Sequence, residues 1–211
     1  GREGQSMYTL YSRPGSGGFV AEAVLEMAGQ PVTVVNVPKA EPPAAFLAIS
    51  PLGQVPALVL PDGRSMTESA AISILVADLH PEAGLSPAID SPARPDFLRW
   101  MLFMSSALYP ALLRYFYAER YTTAPSGVDA VRSAALAEAD RCFAIVETAL
   151  EDRMWLAGEK MSIADVYLLM LAYWHPVGDR PRDEWVRIVD LCARLRAHPV
   201  IDRLNRAHRF W

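Results

Sequence analysis

The hydrophobic positions of this 211-residue chain change their pattern partway along. Short apolar runs rich in β-branched residues, separated by glycine and proline, fill the first part and predict strands that alternate with short helices. Beyond residue 95 the apolar residues recur three and four positions apart, which predicts helices only. We therefore expect an α/β part followed by an all-α part.

The elements predicted in the α/β part follow the order β-α-β-α-β-β-α. Strands are favoured where valine, leucine and tyrosine form runs too short for a helix, and helices where apolar residues recur at helical spacing. A turn is expected at Pro61-Asp62-Gly63, between the last two strands. The predicted strands are Met7–Tyr11, Val32–Val37, Val55–Leu60 and Arg64–Met66, and the predicted helices are Phe19–Ala28, Pro42–Ile49 and Glu68–Leu79.

A proline-rich stretch separates the two parts. Prolines at 81, 87, 92 and 95 interrupt a segment in which helical spacing is weak. We therefore expect a first domain at 7–80, a linker at 81–94 and an all-helical domain at 95–211. Pro110 lies inside an apolar helical pattern of the second domain and is expected to kink that helix.

The composition narrows the classes of protein. Hydrophobic residues make up 52% of the chain, enough for a substantial core, and the net charge of −4 gives no basic field for nucleic acid. No apolar run reaches the roughly 18 residues of a membrane span, and residues 1–6 lack the apolar core of a signal peptide. We therefore expect a cytoplasmic protein that has neither nucleic acid nor a membrane as a partner.

Cysteine and histidine are used sparingly. Cys142 and Cys192 both fall on apolar faces of predicted helices, so we expect two buried thiols in a reducing compartment rather than a disulfide. The four histidines are scattered, and none lies at ligand spacing from a cysteine or from another histidine. The sequence therefore predicts no metal site.

The strongest chemical signal lies where the last predicted strand meets the third helix. Thr67 is placed to be the N-cap, so the N–H groups of Glu68 and its neighbours would point out of the helix end. Such an end binds a carboxylate or phosphate, and the Ser69 hydroxyl adds a donor. Gln54 and Val55 precede a strand, where an extended ligand can pair with their backbone. Plain helix capping is the alternative interpretation of this helix start.

The segment Q-V-P-A-L-V-L-P-D-G at 54–63, followed by T-E-S-A-A-I at 67–72, resembles the glutathione-binding core of the glutathione S-transferase family. The resemblance implies a thioredoxin-like N-terminal domain, an all-helical C-terminal domain and glutathione as co-substrate, with no metal. It also implies a cis Val55–Pro56 bond, with the Val55 backbone pairing with the cysteinyl part of glutathione. Glu68 and Ser69 would then hold the γ-glutamyl end.

Enzymes of this family convert the glutathione thiol into a thiolate. Because a free thiol has a pKa of about 8.5, ionisation at neutral pH needs a shift of about two units, or roughly 2.7 kcal/mol. A hydroxyl hydrogen bond to the sulfur supplies about 1.5–3 kcal/mol, and a helix N-terminus about 0.3–1 kcal/mol. In the family this group lies in the loop after the first strand. P-G-S at 14–16 resembles the loop of serine-type members, so the candidates are Ser16, then Ser12 and Tyr11.

Many bacterial members of the family carry a cysteine in this loop, and this chain departs from them. Alignment on the proline places Gly17 at that position, and the first cysteine of the chain is Cys142. The sequence therefore disfavours a mechanism that depends on an enzyme cysteine.

The second substrate of such an enzyme would lie between the two domains. Residues 108–117 are unusually aromatic and apolar, which suits a small hydrophobic electrophile. A core or dimer contact explains the same residues equally well. The candidate pocket residues are Leu108, Tyr109, Leu112, Tyr115 and Phe116.

The resemblance thus implies a homodimeric glutathione transferase that conjugates the glutathione thiolate to small hydrophobic electrophiles in detoxification. Two alternatives stay open at this point. One is another glutathione-dependent reaction on the same fold, of the isomerase or peroxidase type. The other is a non-catalytic member that binds a ligand or a protein, and thiolate formation separates it from the enzymes because a binding module has no need to ionise the thiol.

A further helix start is predicted in the helical domain. Ser162 as N-cap with Asp165 three positions on resembles a capping box, with aspartate in place of the usual glutamate or glutamine. Together with W-L-A-G at 155–158, this box resembles the buried signature of the family's helical domain. Because capping explains these residues fully, we interpret them as structural.

Overall fold

A computed structural model describes residues 7–211, so the expectation about residues 1–6 lies outside the described part of the chain. The chain forms two compact units, one from residues up to Ile89 together with Arg196–Trp211, the other from Asp90–Leu195. Within residues 7–211, no helix is both long enough and apolar enough to cross a membrane.

The elements agree with the predicted division into α/β and helical parts. In chain order they are β1 (Tyr8–Ser12), α1 (Gly18–Met27), β2 (Val32–Asn36), α2 (Ala44–Ile49), β3 (Ala57–Val59), β4 (Ser65–Thr67), α3 (Ser69–Leu79), α4 (Arg94–Phe103), α5 (Tyr109–Phe116), α6 (Val128–Ala149), α7 (Ile163–Tyr173), α8 (Val186–Arg196) and α9 (Pro199–His208). Short 3₁₀ turns lie at Pro81–Ala83, Ala118–Tyr121 and Pro125–Gly127.

The first unit is built on a four-stranded sheet with the strand order β2-β1-β3-β4. β1 runs parallel to β2, whereas β3 runs antiparallel to both of its neighbours. The predicted order β-α-β-α-β-β-α is confirmed, and the unit has the thioredoxin-like fold.

The two faces of the sheet are covered by different helices. Along β1 the buried residues alternate with half-buried ones, as the period of two requires. The Tyr8 hydroxyl lies 3.0 Å from Nε2 of His80, at the end of α3, so this face of β1 carries α3. Tyr11 points the other way and contacts Phe46 of α2, with ring centroids 5.6 Å apart.

The start of α3 differs from the prediction, and the assignment of Thr67 as N-cap is wrong. Thr67 is the last residue of β4 and pairs with Ala57, so Glu68 takes the N-cap position. Glu68 has a φ of 76°, which is uncommon for a residue other than glycine, and its side chain makes no capping hydrogen bond. The chain must turn from strand to helix within this one residue because the β3–β4 pairing extends through Thr67.

Helix α9 belongs to the first unit, although the helical domain was expected to extend to residue 211. Its Arg203 forms an ion pair with Glu26 of α1 at 3.0 Å, and Nε2 of His208 lies 2.6 Å from a carboxylate oxygen of Glu22. These contacts fasten α9 to α1, which explains why Arg196–Trp211 groups with the sheet.

The second unit contains helices only. Apolar residues that recur three and four positions apart at its start are buried: Phe97, Trp100, Met101, Met104 and Leu108. A π-helical segment at Met104–Leu108 joins α4 to α5, directly before Pro110. Because proline has no N–H and its ring crowds the preceding turn, the regular α-helical bonding is interrupted before it. Cys142 and Cys192 are buried and not joined in a disulfide.

The predicted capping box at the start of α7 is confirmed. Asp165 is fully buried, and one of its carboxylate oxygens accepts the Ser162 N–H at 2.9 Å while the Ser162 hydroxyl accepts the Ala164 N–H at 3.3 Å. The other carboxylate oxygen accepts the Leu156 N–H at 2.9 Å. Burial raises the pKa of Asp165 to about 7, against the two backbone hydrogen bonds that favour the charged form.

Candidate functional site

Strand ends bring the predicted binding residues to one edge of the sheet. Tyr11 near the end of β1 pairs with Ala57 at the start of β3, and Ala57 pairs in turn with Thr67 at the end of β4. Neighbouring strands lie about 4.8 Å apart, so the residues next to this row span about 10 Å. Those residues are Ser12, Pro56 and Glu68.

The loop between β1 and α1 is held by hydrogen bonds of its own. The Ser16 hydroxyl donates to the backbone oxygen of Arg13 at 2.5 Å and accepts the Gly18 N–H at 3.1 Å. The Nε–H of Arg13 donates to the backbone oxygen of Val37, just beyond β2, at 2.8 Å. The loop therefore places Ser16, a half-buried serine, beside the first turn of α1.

Ser12 also lies beside the start of α1, but its side chain is buried in the protein. The side chain is 1% exposed, and its Oγ has no hydrogen-bond partner among residues 7–211. A Cβ placed on Gly18 would come within 1.8 Å of this Oγ, so the hydroxyl lies directly against the start of α1. Ser12 thus contacts the start of α1 from the buried face of β1, whereas Ser16 contacts it from the β1–α1 loop.

Tyr11, the third candidate, is directed away from both serines. It packs against the buried cluster of Val37, Phe46 and Ala57 on the α2 side of the sheet. The structure therefore brings Ser12 and Ser16 together at the start of α1 and leaves Tyr11 on the opposite face.

The segment before β3 is shaped by a cis bond and a buried serine. The Val55–Pro56 peptide bond is cis, as the sequence resemblance implies. The Ser50 hydroxyl donates to the backbone oxygen of Gln54 at 2.8 Å and accepts its N–H at 3.2 Å. Val55 lies outside the β3 pairing, so its N–H and C=O take no part in the strand ladder. This backbone is available to pair with an extended ligand.

The start of α3 closes the site at the third strand end. The first intrahelical bond runs from the Ile72 N–H to the Glu68 carbonyl, so the N–H groups of Ala70 and Ala71 have no acceptor within the helix. Ser69 is half-buried in the first turn, and Glu68 is exposed. An anion at this end would meet backbone donors and the positive end of the helix dipole.

The three parts together suit a small, extended peptide ligand. The backbone at Val55 can pair with its main chain, the start of α3 can hold a carboxylate, and the start of α1 can face a group that becomes negative. The family model for the glutathione S-transferase N-terminal domain matches residues 10–84, and that for the C-terminal domain matches residues 102–199. The chain belongs to the glutathione S-transferase family. The thioredoxin-like first unit corresponds to the N-terminal domain of the family, and the helical second unit corresponds to its C-terminal domain.

Individual relatives agree with this membership. A glutathione S-transferase of Xanthomonas campestris is 30% identical over 172 residues, which cover 80% of this chain and 83% of the relative. A glutathione transferase homologue from Sulfitobacter, solved with bound glutathione, has a TM-score of 0.86 at 26% identity and covers 95% of this chain and 98% of its own. A glutathione transferase from Methylococcus capsulatus has a TM-score of 0.83 at 30% identity, and the match covers 97% of this chain and 100% of that structure's chain.

The predicted second-substrate residues all lie in the helical unit but differ in exposure. Leu108 and Leu112 are buried in its core, at 0% and 1% exposed. Tyr109 packs edge-on against Trp174, with ring centroids 5.1 Å apart. Phe116 is 47% exposed and contacts Tyr115. The three aromatic residues therefore provide the surface of this group, while the two leucines support it from the core.

Three residues that shape the site were not predicted from the sequence. Ser50 fixes the backbone of the segment before Pro56, and a Ser-Pro pair at a helix end was its only sequence signal. Arg13 fixes the β1–α1 loop to the end of β2. His208 reaches the same loop from α9, and its sequence separation of 193 residues leaves no local signal.

Proposed function

We propose that this member of the family is a glutathione transferase, which joins the glutathione thiolate to a small hydrophobic electrophile. One observation carries the proposal: the paired row Tyr11, Ala57 and Thr67 brings the β1–α1 loop, the cis-proline segment and the start of α3 to a single edge. The Sulfitobacter homologue is solved with bound glutathione, which supports glutathione as the ligand of this edge.

In the proposed complex, glutathione lies extended along this edge. Its cysteinyl backbone pairs with the N–H and C=O of Val55. The γ-glutamyl carboxylate accepts from the Ser69 hydroxyl and from the first N–H groups of α3, and the exposed Glu68 carboxylate receives its ammonium group. The Gln54 carbonyl oxygen, which has a second lone pair beside its hydrogen bond from Ser50, adds a backbone acceptor next to the cis bond. The thiol is thereby directed toward the start of α1.

Ser16 is proposed to stabilise the thiolate. Its hydroxyl hydrogen is engaged by a neutral carbonyl, that of Arg13, and turning it to a charged sulfur exchanges a weaker hydrogen bond for a stronger one. The Gly18 N–H still bonds the Ser16 oxygen and so strengthens the hydroxyl as a donor. Ser12 is the second choice because its hydroxyl is buried, and Tyr11 is the third because it faces α2.

The proposed reaction needs no residue beyond this site. The thiol proton leaves to solvent as the thiolate forms. The sulfur lone pair then makes a bond to an electron-poor carbon of the second substrate, and the displaced electron pair moves to a leaving group or to an electron-withdrawing substituent. Tyr109, Tyr115 and Phe116 are the aromatic residues proposed to contact that substrate, with Leu108 and Leu112 behind them.

Ser69→Ala and Ser16→Ala are expected to separate binding from activation. A hydrogen bond to a charged group is worth about 1.5–3 kcal/mol, so Ser69→Ala should weaken glutathione binding about 10- to 150-fold in a calorimetric titration. Ser16→Ala should leave affinity nearly unchanged at a pH where the bound thiol is protonated, but raise the pKa of that thiol by about one to two units. The ultraviolet difference absorbance of the thiolate, followed against pH, measures that shift.

Ser65→Ala is the matched control, because Ser65 is an exposed serine of β4, the strand that leads into α3. It should change neither affinity nor thiol pKa. Saturable binding without any thiolate in the wild-type chain would refute the transferase proposal and favour a non-catalytic binding member. No binding at millimolar glutathione would remove both enzyme interpretations.

A homodimer is also proposed, with contact through the helical unit. Leu98 and Leu102 of α4 and Ile145 of α6 are large apolar residues that are 38%, 49% and 41% exposed. Leu102→Asp should therefore shift the chain from dimer to monomer in sedimentation equilibrium. Leu52→Asp is the control, since Leu52 is 85% exposed but lies in the first unit. An unchanged mass for Leu102→Asp would exclude this surface.

The proposed location is the cytoplasm. The buried thiols Cys142 and Cys192 fit such a reducing compartment.

A further inference from the structure

A histidine on the last helix reaches the loop that carries the proposed activating serine. Nδ1 of His208 accepts the backbone N–H of Gly15 at 2.9 Å. Its other ring nitrogen, Nε2, lies 2.6 Å from Oε2 of Glu22 on α1. The imidazole therefore links α9, α1 and the β1–α1 loop at one point.

The partners of this imidazole define which nitrogen carries its proton. A backbone N–H can only donate, so Nδ1 must be the acceptor and carries no hydrogen in this arrangement. The Glu22 carboxylate accepts, so Nε2–H is the donor on the other side of the ring. Glu22 thus selects the form of His208 that can hold Gly15.

His208 is placed rigidly enough to act as an anchor. Its side chain is 1% exposed, and its ring contacts Phe19 edge-on at 5.1 Å and Phe210 at 5.7 Å. The Asn205 Oδ1 accepts the Phe210 N–H at 2.7 Å, which keeps the residue after the helix in place. Packing and hydrogen bonding therefore fix the ring from several directions.

The bonded residue lies at the centre of the loop. Gly15 is exposed and has a φ of 75°, and it sits between Arg13, which is bonded to Val37, and Ser16. Among residues 7–211, the other side-chain links of the loop are those of Arg13 to Val37 and of Ser16 to the start of α1. The position of the Ser16 hydroxyl depends on the Arg13 carbonyl in the same loop and on the N–H of Gly18, the first residue of α1.

We infer that His208 is a positioning residue for thiol activation: its Nδ1, oriented through Glu22, holds Gly15 so that the β1–α1 loop presents Ser16 to the glutathione sulfur. This inference rests on the proposed function for its catalytic consequence. Its structural half, the anchoring of the loop by α9, stands without glutathione. In this inference His208 acts through Gly15 and the loop, which makes it a positioning residue and not a catalytic one.

Two substitutions at His208 separate its polar links. In asparagine, Oδ1 stands the same number of bonds from Cβ as Nδ1 does, so His208→Asn keeps an acceptor for Gly15 and loses the link to Glu22. In glutamine the amide lies one carbon further out, so His208→Gln keeps a donor for Glu22 and loses the acceptor for Gly15. Both lose the aromatic ring contacts, so similar drops in melting temperature are expected.

The two variants are expected to differ in the amide hydrogen exchange of the loop and in the pKa of the bound thiol. In the full chain without ligand, amide hydrogen exchange of residues 12–18 should be faster in His208→Gln and close to wild type in His208→Asn. With glutathione bound, the pKa of the thiol should rise by about one unit in His208→Gln, a tenfold change in the ionisation constant. His208→Asn should stay near the wild-type value.

Each outcome has one interpretation. Equal exchange and equal thiol pKa in the two variants would overturn the inference while leaving the transferase proposal intact. A wild-type chain that binds glutathione without forming thiolate would refute the proposed function, and the exchange experiment would still decide whether His208 anchors the loop. If both His208 variants fail to fold, Glu22→Ala and Glu22→Gln replace them. Glu22→Ala should loosen the loop because the imidazole hydrogen can then move from Nε2 to Nδ1, which removes the acceptor for Gly15. Glu22→Gln keeps an acceptor for Nε2–H and should not loosen the loop.

Discussion

Asp165→Ala is expected to lower the free energy of unfolding by about 2–6 kcal/mol, because it leaves two buried N–H groups without a partner at about 1–3 kcal/mol each. Those groups belong to Leu156 and Ser162, which donate to opposite oxygens of a fully buried carboxyl. Whole proteins are stable by only about 5–15 kcal/mol, so this loss is a large fraction. Urea unfolding measures it, and the specific activity of the protein that remains folded should be unchanged.

The same loss should depend on pH. Burial raises the pKa of Asp165 to about 7 in the folded chain, above the ordinary aspartate value of about 3.9 expected when unfolded. The folded state therefore binds the proton more tightly, and the stabilising contribution is fully present below about pH 4 and is lost as the pH rises through about 7. Asp165→Ala should accordingly cost more at pH 5 than at pH 8, by up to about 1.4 kcal/mol for each pH unit between pH 5 and about 7.

Asp129→Ala serves as the comparison for this prediction. Asp129 also lies in the first turn of a helix, α6, but its side chain is 98% exposed. Its replacement should change stability little, because water takes over its hydrogen bonds. An Asp165→Ala protein with an unchanged melting temperature and lost activity would contradict the structural interpretation and place this carboxyl in the chemistry.

The type of most elements could be predicted from local patterns of hydrophobic residues in the sequence. The β-branched run at Val32–Asn36 and the single-face spacing of α6 each have one physical solution, a strand and an amphipathic helix. Element ends were less predictable. Thr67 has a good capping side chain, yet the pairing of β4 with β3 extends through it and moves the helix start to Ser69. Long-range pairing overrides capping preference because it satisfies more backbone groups at once.

The location of the site could be predicted, but the orientation of its hydroxyl groups could not. Successive residues of a strand point to opposite faces, so a single step in register decides whether Tyr11 or Ser12 faces α1. The link between His208 and Gly15 joins residues 193 positions apart, and no periodicity or spacing encodes such a contact. Side-chain direction and long-range hydrogen bonds depend on packing, which the linear pattern leaves unspecified.

Gly18→Ala is expected to destabilise the chain by about 3 kcal/mol or more, the upper end of overpacking costs, and to disturb the site as well. An added Cβ would lie 1.8 Å from the Oγ and 2.7 Å from the Cβ of Ser12, and 3.2 Å from the Oγ of Ser16. The first two distances are far inside van der Waals contact, and Ser12 is fixed in β1, so the start of α1 must move. Thermal unfolding and glutathione affinity should both report the displacement.

Ser12→Gly tests whether this one contact is the cause. It removes both Ser12 atoms that the added methyl group would meet, so the double variant Ser12→Gly with Gly18→Ala should recover most of the stability lost in Gly18→Ala alone. The coupling between the two sites should then reach about 2 kcal/mol or more, toward the upper end of values for contacting residues. Additive losses would mean that Gly18 is required for another reason. Recovered stability without recovered glutathione binding would show that the Ser12 hydroxyl, although buried, contributes to the site.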